Sequence, residues 1–229
     1  MKRLCAILLV AAAVSVASAD IIYDTISEAT TWSTTGGTPR NRMADSFSTA
    51  APPPNMVWEV DQVETVVYLA AAGTYNISFD VLFWDEWNGG GFGGAGTNVF
   101  RTLLNQTTFN LAPITTTGVA VYTLTLDYAS IPLQIADPLD LGFEVQWYNN
   151  GVKDNNVAGA LRDGMPSVGA STNLFYRDAN DNGVIETTDG RTITGWTNVN
   201  LGLRITATAV PEPASLVLLA LAGLALRRR

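Results

Sequence analysis

Histidine is absent from all 229 residues. Ser-His-Asp and Cys-His catalysis therefore have no base, and the common imidazole metal sites are excluded with them. Cysteine occurs once, at Cys5, ahead of most of an N-terminal apolar run, so the rest of the chain has no disulfide and no thiol chemistry. Positive charge is scarce: 13 Lys and Arg stand against 21 Asp and Glu. Setting aside Lys2, Arg3, Glu212 and the three terminal arginines leaves 8 basic and 20 acidic residues in 20–210, a net charge of −12. Such a surface excludes nucleic acid or an anionic membrane as a default partner and favours cations or neutral polymers. No internal repeat of fixed period and no convincing amphipathic helix is present, which sets aside solenoids, propellers and helical bundles. Any enzymatic reading must rest on carboxylates alone.

What is present is an apolar period of two. Ile77, Phe79, Val81 and Phe83 alternate with Asn76, Ser78 and Asp80, predicting one buried and one partly wet face. Tyr122, Leu124 and Leu126 behave likewise, and the cleanest strands run through Leu141, Phe143, Val145 and Trp147, and through Leu201, Leu203 and Ile205. Weaker candidates are 21–24, 58–63, 64–69, 99–104 and 173–176. Pro52-Pro53-Pro54 and Asn149-Asn150-Gly151 read as turns between them. Many short alternating strands predict an all-β domain over 20–210, an antiparallel β-sandwich of jelly-roll type.

Both ends carry export features. Lys2 and Arg3, the apolar stretch 4–16 and Ala17-Ser18-Ala19 make a signal peptide over 1–19, so the mature chain begins at Asp20. At the other end Pro211-Glu212-Pro213-Ala214-Ser215 leads into an apolar run to Leu226, and then Arg227-Arg228-Arg229. As a helix at about 1.5 Å per residue that run is about 20 Å long, against about 30 Å for a bilayer core. The arginines hold the terminus at the cytoplasmic face and place everything before Pro211 outside the cytoplasm. The arrangement over 211–229 resembles the PEP-CTERM signal of bacterial exported proteins. That resemblance implies processing by an exosortase, a membrane-embedded thiol transpeptidase, and a role in extracellular polysaccharide or biofilm matrix.

One internal segment carries chemistry. Asp178, Asn180, Asn182 and Gly183 stand at the first, third, fifth and sixth places of a calcium-loop template, followed by the Val184 carbonyl, apolar Ile185, Glu186 and Asp189 at the twelfth. A hard divalent cation takes six to eight oxygens, and the glycine lets alternate donors converge. The loop resembles those of dockerins and other D-x-N-x-N-G proteins, which also end on Asp. Its flanks, 174–176 and 191–194, read as strands, so the expectation is a calcium-stapled hairpin and not a helix-loop-helix sensor; the alternative is an Asx-rich turn that needs no metal.

Trp84-Asp85-Glu86-Trp87 precedes a glycine-rich stretch, 89–96, that lacks the Lys-Ser or Lys-Thr of a phosphate cradle. Neighbouring residues of an extended segment point to opposite faces, so Asp85 and Glu86 are poorly placed to flank one glycosidic bond. Trp84 and Trp87 are instead candidates to present ring faces to sugar. The reading is a non-catalytic, exported cell-surface or matrix protein, transiently membrane-anchored, with exosortase as partner and structural calcium. The alternatives are a carbohydrate-binding module and, third, a carboxylate-dependent glycan hydrolase.

Overall fold

The period-two segments form strands, and almost nothing else is regular. The structure, a computed structural model, describes residues 18–27, 29, 31–34, 41–94 and 96–212. The expected signal peptide, except Ser18 and Ala19, and the tail beyond Glu212 lie outside them. In chain order the first strands are β1 (Asp20–Asp24), β2 (Arg42–Ser48), β3 (Met56–Leu69), β4 (Gly73–Tyr75), β5 (Ile77–Trp87) and β6 (Phe100–Asn110). Next come β7 (Ile114–Thr116), β8 (Ala120–Asp127), β9 (Gln134–Ile135), β10 (Leu141–Asn149), β11 (Val152–Lys153) and β12 (Val157–Gly159). The last are β13 (Leu161–Asp163), β14 (Ala170–Arg177), β15 (Gly190–Arg191), β16 (Val199–Leu201) and β17 (Leu203–Pro211). A single 3₁₀ turn, Thr187–Asp189, is the one helical element among the described residues.

All pairings are antiparallel. One sheet runs β15-β14-β2-β10-β5-β6, with β11 folded back on β10. That hairpin turns on Asn150 (φ +51°) and Gly151 (φ +75°), both left-handed as a two-residue turn demands. In the other large sheet β3 pairs with β17, β12, β8 and β9, and β17 carries β1. The inward faces of the two sheets share one core: Phe79, Val81, Phe143 and Trp147 come from the first, and Val63, Val67, Leu203 and Ile205 from the second. Trp147 stacks on Phe79 with centroids 4.5 Å apart and is wholly buried. Each such side chain contributes about 1.5–3 kcal/mol of burial.

Three expectations about strand limits are corrected. Segments 58–63 and 64–69 are one strand, β3. Opposite it the register steps from Ala207↔Val60 to Thr206↔Gln62, which leaves Asp61 as the extra residue of a bulge. The inward phase changes there, from Trp58 and Val60 to Val63, Val67 and Leu69, and that change reads in sequence as a break. Conversely, 201–205 is not one strand. Leu201 ends β16, which pairs with β13, while Leu203 begins β17, which pairs with β3. Between them Gly202 lies so close to Val66 that a Cβ would sit 2.5 Å from its Cγ2. The strand expected after the acidic loop is also short, since 192–194 lie beyond the end of β15.

The outer face of the seven-stranded sheet is not wet throughout, as alternation alone would have it. Ala44, Val99, Phe100, Tyr176 and Ile185 form a second, smaller buried cluster there, with Trp84, Trp87 and Leu174 packed against it. Glu144, in the polar phase of β10, is consequently buried beneath it.

Candidate metal loop and sorting segment

Residues 178–189 connect β14 to β15, which pair through Phe175↔Arg191 and Tyr176↔Gly190, so the loop closes a hairpin as its flanks predict. Its turn is built from its own side chains. The Asp178 carboxylate accepts the N–H groups of Asn182 at 3.1 Å and Gly183 at 2.9 Å. Asn180 Oδ1 accepts from Asn182 N–H at 3.2 Å, and Asn182 Oδ1 from Val184 N–H at 2.8 Å. Asp189 closes the far side, accepting Ala179 N–H and Glu186 N–H, each at 3.0 Å. Gly183 sits at φ +80°, the left-handed turn for which the glycine was expected, and Asp181 at φ +57° makes a second. Lys153 of β11 is ion-paired with Asp181 on the rim.

Inside the loop the charge balance is different. Asp178 is 1 % exposed and Asp189 2 %, and among the described residues neither carboxylate has an ion-pair partner. The Asn180 and Asn182 amide N–H₂ groups both donate to the Glu186 carboxylate, at 3.2 and 3.3 Å. Among the described residues no three Asp, Glu, Cys or His side chains gather into a metal cluster. The donor set available here is mixed: the oxygens of Asp178, Asn180, Asn182, Glu186 and Asp189 and the Val184 carbonyl. Six hard oxygens of that kind fit calcium's requirement in number and chemistry.

The loop is fastened to the sheet by its one buried apolar residue. Ile185 is wholly buried in the second cluster, and its carbonyl accepts Val99 N–H at 2.9 Å beside a bridge between Asn98 and Glu186. Under it, Arg42 and Glu144 form an ion pair at 2.6 Å, with Trp84 Nε1–H donating to Glu144 at 3.2 Å. Burial lifts the Glu144 carboxyl above the ordinary carboxylate range, and Arg42 opposes it. The Tyr176 hydroxyl, pushed up to about 12 by burial, accepts from Trp87 Nε1–H at 3.0 Å.

The two candidate sugar platforms are therefore not equivalent. Trp84 stacks on Phe100, interplanar angle 17°, and belongs to the packing. Trp87, although its N–H is engaged, retains an edge on two clefts that share it and Asp140. One is lined by Ser46, Ser48, Ser171 and Thr172, the other by Asp85, Glu86, Phe92 and Asp137. Asp137 and Asp140 were not nominated from sequence; about fifty residues separate them from Asp85 and Glu86, and no local pattern marks the approach.

The sorting segment starts inside the fold. Pro211 is the last residue of β17, paired with Met56, and Glu212 N–H donates to the Asn55 carbonyl at 3.1 Å. Both are exposed, and Pro213 lies outside the described residues. The strand thus runs one residue past the expected domain end at 210. No helix of the described residues is long and apolar enough to cross a membrane; the run 214–226 is outside them. No curated protein and no solved structure matches the chain. Residues 209–229 do match a family, the PEP-CTERM protein-sorting motif. The chain therefore ends in a PEP-CTERM sorting motif, which implies export, transient anchoring at the cell envelope and processing by exosortase.

Proposed function

We propose that this is a non-catalytic cell-surface or extracellular-matrix protein, an antiparallel β-sandwich of jelly-roll type with a structural calcium ion in the 178–189 hairpin. Two large sheets sharing one core support the sandwich. The observation that carries the calcium reading is the pair of buried carboxylates, Asp178 and Asp189, with no cationic partner among the described residues. Burying unpaired charge is expensive, and a divalent cation offsets it by drawing the same oxygens to one centre. The ion would do no chemistry; it would hold β14, β15 and the second cluster in register.

The test is thermal. A ligand that binds only the folded state stabilises it by RT ln(1 + [L]/Kd), about 2.7 kcal/mol at about 100 times Kd. Extracellular calcium modules bind at about 10⁻⁴ to 10⁻³ M. About 10 mM calcium, about 10 to 100 times Kd, should then raise the melting temperature by roughly 3–10 °C over chelator, and magnesium by much less. Asp178→Asn with Asp189→Asn should abolish the shift while keeping the β-rich far-UV spectrum. Identical melting in chelator and calcium would make the loop a metal-free Asx turn.

A second reading, a carbohydrate-binding module, is favoured by the clefts on either side of Trp87 and Asp140, where hydroxyls, carboxylates and aromatic edges meet. Sugar recognition uses that combination: a ring edge or face against C–H groups and acceptors for hydroxyls. Phe92→Ala and Asp140→Asn should each weaken binding on a glycan array at unchanged melting temperature. An array on which the exported chain binds nothing removes this reading.

A further inference from the structure

We propose that the sorting motif is latched by the folded domain, and that its processing waits on local fraying of the last turn of the β3–β17 ladder. This rests on the exosortase reading of the tail and adds how the substrate is presented. The ladder continues without interruption through Thr208↔Glu59, Ala209↔Trp58, Val210↔Val57 and Pro211↔Met56. It ends on the Glu212 N–H, donated to the Asn55 carbonyl at 3.1 Å from a turn in which Asn55 is left-handed, φ +63°. The matched motif begins at residue 209, so its first four residues, 209–212, are held by the backbone of residues 55–58.

An enzyme that binds an extended chain needs the same backbone groups and the same space. Residues paired with β3 cannot offer both edges to a second protein. Distance sharpens the conflict: only Pro213 separates Glu212 from the apolar run, and two extended residues reach about 7 Å. With the latch closed, the domain stands against the membrane surface and leaves no room for an active site between them. Releasing residues 209–212 adds roughly 13 Å of free chain. The ladder end is suited to opening. Burial falls from the wholly buried Ala207 to the partly buried Ala209 and Val210 and the exposed Pro211 and Glu212. Backbone bonds with little apolar cover are the first to open in a native protein.

The full-length precursor, expressed with its sorting enzyme, tests the latch by pulse-chase. An eight-residue Gly-Ser linker inserted between Thr208 and Ala209 leaves the motif intact and separates it from β3; it should be processed several-fold faster than wild type. The same linker inserted after Gly118, in the turn between β7 and β8, should leave the rate unchanged. A second measurement needs no variant: in the purified wild-type precursor the Val210 and Glu212 amides should exchange with solvent more slowly than free peptide and faster than the Ile205 amide. Equal processing of linker variant and wild type, or unprotected Val210 and Glu212 amides, overturns the latch. A wild-type precursor that is never processed overturns the exosortase reading itself, and the latch with it.

Discussion

Asp45 is the residue whose behaviour is least like its sequence context. It lies in β2 between Met43 and Phe47, in the inward phase, and is 3 % exposed. Its carboxylate accepts Leu201 N–H and Ser46 N–H, both at 2.8 Å. Burial dominates and lifts its pKa well above the ordinary carboxylate range, with those two backbone N–H groups opposing. A carboxyl raised by folding binds more protons in the native state than in the unfolded one. Its contribution to stability is therefore full below the unfolded pKa of about 3.9 and is lost as pH rises from there through the folded value. Asp45→Asn removes that titration. The stability difference between wild type and Asp45→Asn, from urea melts at successive pH values above about 4, should shift steadily in favour of the variant as pH rises. A difference independent of pH would mean that Asp45 titrates as a solvated group.

Among the elements, β3 and the β16–β17 junction show how pairing decides what local pattern leaves ambiguous. The bulge at Asp61 changes which face of β3 is inward, so a single strand carries two hydrophobic phases. At the junction one phase spans two strands, because Gly202 lets the chain pass over Val66 and Trp32 while it changes partners. Gly202→Ala would drive a Cβ to 2.5 Å from Val66 Cγ2, and overpacking of that kind costs about 1–3 kcal/mol. Its melting temperature should fall by several degrees. Gly118→Ala, where an added Cβ meets nothing within 4 Å, should melt as wild type does. Equal melting of the two variants would refute the close approach.

For the whole molecule, the described residues of the two large sheets share one core, whose last contributor along the chain is Ala209. Folding is therefore expected to be separable from sorting. A stop codon after Glu212 should leave the melting temperature unchanged and move the exported protein from the membrane fraction to the soluble fraction. Retention of the truncated chain in membranes would place the anchor elsewhere. The charge of −12 over 20–210 acts at the same scale: it opposes adhesion to anionic surfaces and concentrates cations around the molecule.

The sequence by itself determined what is local. Period-two alternation marked the strands because a side chain's face follows from its place in the pleat. Asp178, Asn180, Asn182 and Gly183 marked a turn because Asx side chains bond backbone two to five residues on, and the literal Pro211-Glu212-Pro213 with its apolar run and arginines marked the sorting tail. Only the tertiary structure decided what depends on distant pairing. It buried Glu144 by laying Phe100 against Gly142 of β10 and closing Arg42 and Trp84 on the carboxylate. It set Asp45 against Leu201, 156 residues away, and brought Asp137 and Asp140 beside Asp85 and Glu86. It also carried Pro211 into the β3 ladder. These positions are set by which strand lies beside or above which, and that follows from closing one core between two sheets, a property of the whole chain and of no short segment.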